Sequence, residues 1–320
     1  VRAALSDDFF ADIAERLAGD VSGWSTLPPL FVYAADERGE HLAGLDGALR
    51  TVAEQTGDNR QDRVDGWLRA DNTDSGTRIW RSGMFELAMK ARFLAGATDV
   101  EFDALLPNGR DVDIRATVGG RPMCFEATVI TESDEDQGVW ARFVAAKVTD
   151  EDAVLSRPGV HDPADANGPS PYYDCARVYL KVFDKLAKGW NPAKCQLSET
   201  YPNVLLLSIW TGYGMPYASS PGIGWALDEL FADQPNAGAI KELTRPGLTD
   251  ISLASFLGEV APANAQELLQ SPRLLSAIAM FTEASASGGR LNYNARLEKQ
   301  LSHADMAAIE SIVRLPVPWA

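Results

Sequence analysis

Cysteine and histidine are scarce, with three of each in 320 residues. Cys124, Cys175 and Cys195 are odd in number, widely spaced and free of any Cys-x-x-Cys pair. That pattern argues against a disulfide framework and against a structural zinc site. His41, His161 and His303 are too scattered to form a ligand cluster. A reducing, cytoplasmic setting is therefore the expectation. Long apolar runs are absent too: the longest, Val204 to Trp210 with Ser208 inside it, has strand length. A membrane helix needs roughly 20 apolar residues, so no membrane partner is expected. Val1 to Leu5 run straight into Asp7 and Asp8, and no secretory signal is expected there. Positive charge is the scarcer sign, with 29 Lys and Arg against 45 Asp and Glu, a net charge of −16. Such a field does not attract nucleic acid, so any contact with phosphate requires a local basic patch. No Gly-x-Ser-x-Gly elbow and no Walker motif occurs. Gly212-Tyr213-Gly214 has Tyr217 where the third glycine of a dinucleotide-binding turn belongs, which argues against a nucleotide-cofactor enzyme.

What is present is enough apolar residue, 46%, for a sizeable core. Residues 1–79 read as a helical N-terminal region. Phe9, Phe10, Ile13 and Leu17 recur at helical spacing, as do Leu45, Leu49, Val52 and Ala53, with breaks at Gly23–Pro29 and Gly57–Asn59. Residues 80–320 read as one α/β domain, with a core over 82–210 and a C-terminal extension over 211–320. Ser82 is the expected N-cap of a helix reaching Ala95. Strands are expected at Val100–Leu106, Val112–Val118 and Pro122–Ile130. An acidic stretch, Glu132–Asp136, a short helix, Val139–Val148, and a long loop, Ser156–Pro171, come next. A helix over Tyr172–Lys188 then leads to a buried strand, Asn203–Trp210. The extension offers a strand at Leu275–Phe281 and a final helix at His303–Val313.

The second and third of these strands carry the chemistry. Val118-Gly119-Gly120-Arg121 is a two-residue hairpin signal, because adjacent glycines supply the positive φ angles of such turns. Val118 then pairs with Arg121, Ala116 with Met123, Ile114 with Phe125 and Asp113 with Glu126. Val112, Ile114, Ala116 and Val118 share an apolar face with Met123, Phe125, Ala127 and Val129. Asp111, Asp113, Arg115 and Thr117 share the other with Cys124, Glu126 and Thr128. Two carboxylates directly opposite repel one another. One compensator is a divalent cation, for which all-oxygen ligation selects Mg²⁺ or Mn²⁺. The others are Arg115, a distant basic side chain, or plain exposure to water.

This arrangement resembles the PD-(D/E)xK, or restriction-endonuclease-like, nucleases. Those proteins set a helix, three antiparallel strands, a helix and a further strand in that order, with Asp on the second strand and Glu-x-Lys on the third. Here Val112-Asp113 is followed thirteen residues on by Glu126-Ala127-Thr128. The element order over 82–210 matches. The resemblance implies a central mixed sheet flanked by helices, behind the N-terminal helical segment. It implies Asp113 and Glu126 as ligands of Mg²⁺ or Mn²⁺, Glu86 of the preceding helix as a third, and a catalytic set of Asp113, Glu126 and the residue at 128. Two departures stand out: Val112 replaces the motif Pro, and Thr128 replaces the motif Lys, whose charge a hydroxyl cannot supply. Arg115, Lys185, Lys194 and Gln196 are the candidate substitutes. Glu86 also has a plain reading, because Lys90 four residues on forms a surface ion pair with it at helical spacing.

One basic stripe does exist. Arg177, Lys181, Lys185 and Lys188 recur along one face of the expected helix, opposite Val178, Tyr179, Val182, Phe183 and Leu186. It reads either as a phosphate track or as an ordinary solvated face relieved by Asp174 and Asp184. Three functions are open on these grounds. One is a metal-dependent DNA nuclease, the second a catalytically inactive nuclease-like protein with a binding or structural role, and the third an unrelated α/β protein with an acidic hairpin in water.

Overall fold

The computed structural model describes residues 40–56, 74–130, 171–209, 221–231, 252–282, 290–293 and 301–316. The helical pattern of Phe9–Leu17, the stretches Glu132–Asp136 and Val139–Val148, the loop before Pro171, and Gly212–Tyr217 lie outside these residues. Helices α1 (Glu40–Thr56) and α2 (Asp74–Gly96) precede three strands, β1 (Thr98–Leu105), β2 (Asp111–Val118) and β3 (Arg121–Ile130). Then follow α3 (Pro171–Leu186), β4 (Asn203–Ile209), α4 (Pro221–Phe231), α5 (Leu253–Val260), the single turn α6 (Ala265–Leu268), β5 (Leu275–Thr282), β6 (Arg290–Tyr293) and α7 (His303–Val313). Ser82 does not open α2, which begins eight residues earlier at Asp74. No proline interrupts that stretch, and the roughly 1 kcal/mol cost of a mid-helix glycine such as Gly83 is small beside the apolar face that follows it. The helix therefore runs through residue 79.

The six strands lie in chain order, β1-β2-β3-β4-β5-β6. The β1/β2, β2/β3 and β5/β6 pairs are antiparallel, while β3/β4 and β4/β5 are parallel. The protein is thus an α/β fold with a central mixed sheet flanked by helices. Central β4 is apolar on both faces, as a strand buried between two helical layers must be. Val204 and Leu206 join one core with α1, α2 and α7, around Phe85, Met89, Phe93, Phe125 and Phe281. Leu205 and Leu207 join the other with α3, α4 and α5, around Tyr179, Phe183, Leu230 and Leu257. Leu45 and Ala48 place α1 in the first of these cores. The strand β6 carried no sequence signal strong enough to be placed in advance.

The β2–β3 hairpin has the register its glycine turn dictates: Val118 pairs with Arg121, Ala116 with Met123 and Ile114 with Phe125. Gly119 and Gly120 hold φ of 60° and 83°, as the turn requires. One part of the expected alternation fails. Val112 leaves the layer of Ile114 and is buried with Ala104, Leu106 and Cys124 in a small cluster near Tyr201. Phe102 and Ile114 pair, as do Ala104 and Val112, and between them Asp103 takes the left-handed φ of 49°. A left-handed residue turns the strand off its regular pleat. The β2–β3 ladder also stops at Ile114 and Phe125. The two strands part there, one residue before Asp113.

Candidate active site

Asp113 sits where β2 leaves β3. The ladder has ended, and the backbone N–H of Ala127 on β3 donates to Asp113 Oδ2 at 2.8 Å. The carboxylate thus takes a donor from the strand backbone, and this fixes its position in the fork. Glu126 is buried, with its strand neighbour Leu205 pointing into the α3 side of the sheet. Its carboxyl lies within hydrogen-bonding reach of Asp113.

The compensator for this carboxylate pair comes from α3. Lys185 Nζ lies 2.7 Å from Glu126 Oε2 and 3.8 Å from Asp113 Oδ2. The helix delivers it because Val178, Val182, Phe183 and Leu186 bury the adjoining face against the sheet. The lysine stem then runs along that apolar surface with its charge aimed at the fork. Glu126 Oε2 is buried, and the Lys185 ammonium is its close charge partner. Burial first, and the charge of Asp113 second, push the Glu126 carboxyl up to about 8 against the opposing pull of Lys185. The neighbouring carboxylates hold the Lys185 ammonium above its ordinary range despite its burial.

A second group of charges adjoins the first. Glu86 on α2, Asp103 on β1 and Asp113 bring one carboxylate oxygen each within 4.8 Å of one another. Lys90, one helical turn after Glu86, lies 2.7 Å from Glu86 Oε1 and 3.4 Å from Asp103 Oδ2, with its ammonium 5.3 Å from the Phe102 ring centre. The Glu86–Lys90 pair expected at helical spacing is therefore real, but it is buried in the interior and not solvated at the surface.

These donors fit a metal ion. They are all hard carboxylate oxygens, three are clustered, and the buried Glu126 carboxyl adjoins Asp113. An octahedral cation with bonds near 2.1 Å separates its ligand oxygens by about 3 to 4.2 Å, and the three oxygens here lie within 4.8 Å of one another. The sequence placed Glu86, Asp113 and Glu126 in such a site. The structural cluster has Asp103, outside that expected set, in place of Glu126, and Lys90 adjoins it. Asp103 was legible in principle, since the β1–β2 pairs on either side of it set it across from Asp113.

Thr128 is half-buried on β3, two residues past Glu126 and beside Leu207 of β4. Of the candidate substitutes for the missing lysine, Lys185 alone reaches the pair among the described contacts. Arg115 is engaged by Glu101 across β1 and β2. Lys194 is exposed in a turn of 3₁₀ helix after α3, and Gln196 donates its backbone N–H to the Lys185 carbonyl at 2.9 Å. The expected stripe is broken in the same way. Lys185 is turned inward, α3 ends at Leu186, and Lys188 stands exposed in the 3₁₀ turn beyond it. Arg177 and Lys181 remain half-buried on α3.

No family model, no curated protein and no solved structure matches this chain. Its fold and the side chains at the fork are what define the site.

Proposed function

We propose that the protein is a divalent-metal-dependent phosphodiester hydrolase acting on DNA, with a restriction-endonuclease-like core of the PD-(D/E)xK type. The observation that carries this reading is Lys185 Nζ at 2.7 Å from Glu126 and 3.8 Å from Asp113. A lysine from the helix supplies the charge that Thr128 of the strand cannot. The order of α2, three antiparallel strands, α3 and a parallel β4 supports the same reading, as does a fork that opens at the Asp of β2.

In this reading Asp113 and Glu126 hold Mg²⁺ or Mn²⁺, helped by Asp103 or Glu86. Such an ion supplies Lewis-acid charge to a phosphate and lowers the pKa of a water. The Ala127 N–H keeps Asp113 oriented. Lys185 faces the position where negative charge develops on the phosphate, and a fixed cation there stabilises the transition state more than the ground state. Thr128 adds a hydroxyl beside the site. Lys181 and Lys188 provide the remaining basic contacts to a DNA backbone.

A second reading, a nuclease-like protein that binds or assembles without cleaving, draws on Lys90. It already pairs with both Glu86 and Asp103, and the net charge of −16 disfavours nucleic acid. One experiment separates the two. Linear, circular and single-stranded DNA are incubated with the protein with and without Mg²⁺ or Mn²⁺, beside Asp113→Ala and Lys185→Met. Metal-dependent cleavage is expected, and each substitution should lower it by 100-fold or more, on the order of 3 kcal/mol of transition-state stabilisation. A Lys185→Met protein that cleaves as well as its parent would remove Lys185 from the site. A parent that binds Mn²⁺ and cleaves nothing would establish the non-catalytic reading.

A further inference from the structure

Two lysines and four carboxylates meet at the β2–β3 fork, and the two lysines are not equivalent. Lys185 addresses Glu126 and Asp113, whereas Lys90 addresses Glu86 and Asp103. The Asp103–Lys90 contact is the looser of the two that Lys90 makes, at 3.4 Å against 2.7 Å to Glu86. Asp103 is also the residue that shares a metal-sized cluster with Asp113 and Glu86.

We infer that Lys90 is a built-in competitor for the metal site, an ammonium that holds Asp103 until a divalent cation takes its place. The inference rests on the metal-binding half of the function proposed above and does not depend on hydrolysis. Several features suit Lys90 to the exchange. It is anchored on Glu86 within its own helix, so it can release Asp103 without leaving the cluster. Its ammonium lies over the Phe102 ring, a second favourable surface for a cation in a desolvated place. The device keeps Asp103 and Glu86 from meeting as bare like charges when no cation is bound. It also raises the cation concentration at which the site fills, because each uptake must break one charge-assisted contact.

The test is Mn²⁺ binding to the full chain by calorimetry, compared among the parent, Lys90→Gln, Lys90→Met and Asp103→Asn. Glutamine keeps a hydrogen-bond donor at the position without the charge, so it guards against a methionine variant that fails to fold. Lys90→Gln is expected to bind Mn²⁺ about 10- to 100-fold more tightly, the weight of one charge-assisted hydrogen bond. Mn²⁺ should also raise its melting temperature more than the parent's. Adding Asp103→Asn to Lys90→Gln should abolish that gain. Equal or weaker Mn²⁺ affinity in Lys90→Gln, or a gain that survives Asp103→Asn, overturns the competitor role while leaving the metal site standing. Failure of parent and variants alike to bind Mn²⁺ overturns the inference and the metal-dependent function together.

Discussion

At the scale of single residues, Glu126 is the group whose chemistry is most altered by its place. A carboxyl ordinarily near 4.5 is pushed up to about 8 by burial and by Asp113. The linkage has a definite sign. Between about 4.5 and 8 the folded protein holds a proton at Glu126 that the unfolded chain has released, so folding stability declines as pH rises through that window. Below it both states are protonated and the contribution is fully present. Urea unfolding of the parent and of Glu126→Gln at half-unit pH steps, without divalent ions, should show the parent losing stability relative to the variant across the window. Parallel curves would mean that Glu126 titrates as an ordinary carboxyl. A saturating divalent cation should reverse part of the loss. Bound at 100 times its dissociation constant, it adds about 2.7 kcal/mol to stability.

At the scale of elements, the hairpin turn and helix α7 test how the fork is held. Gly119 and Gly120 both have positive φ, but only Gly119 faces a neighbour: a Cβ added there would lie 3.3 Å from Ala308 Cβ on α7, whereas one at Gly120 meets open space. The two alanine substitutions therefore separate backbone strain from packing. Gly120→Ala should cost about 1 kcal/mol, the price of the left-handed region for an L residue. Gly119→Ala should cost more, because α7 must also shift against the Arg121–Asp305 ion pair, 3.1 Å long, that ties it to the start of β3. Thermal unfolding of the two variants checks the order. Equal losses would show that α7 yields freely and does not brace the hairpin.

At the scale of the whole molecule, electrostatics decide how DNA could approach an acidic protein. The sequence suggested four basic residues in one row, and the fold removes Lys185 from it by turning that side chain into the fork. Lys188 then stands past the helix end. Duplex affinity should fall with salt at a slope of about −0.9 for each phosphate contacted. Lys181→Ala and Lys188→Ala should each flatten the slope by about one unit, and Lys185→Met should change cleavage while leaving the slope nearly unaltered. A slope that responds to Lys185 alone would place the backbone contact inside the fork. Among the described residues, no helix is long and apolar enough to cross a membrane.

How much of this was written in the chain differs by kind of signal. Short-range physics was legible: period-two alternation and a Gly-Gly turn set the β2–β3 register, and the apolar run at Val204–Trp210 announced a buried strand, found at Asn203–Ile209. The expected register sets Asp113 across from Glu126, but the ladder ends at Ile114 and Phe125, and Asp113 instead accepts from the Ala127 N–H. The start of α2, the strand β6 and the departure of Val112 from its layer were not legible. Each depends on packing that offsets a weak local preference, or on the left-handed φ of Asp103 that no composition reveals. The choice of Lys185 over Arg115, Lys194 and Gln196 belongs to tertiary structure alone. A lysine reaches the fork only because helix α3 packs its apolar face on the sheet at one particular rotation. The same holds for Asp103 and Lys90, which converge from a strand and a helix on carboxylates distant in the chain. The sequence by itself determined the hairpin turn, the strands β1 to β5 and the two acids that its second and third strands carry. The packing of helices on the two faces of the sheet decided which cations those acids meet, because charge interactions depend on distances in space that sequence spacing does not record.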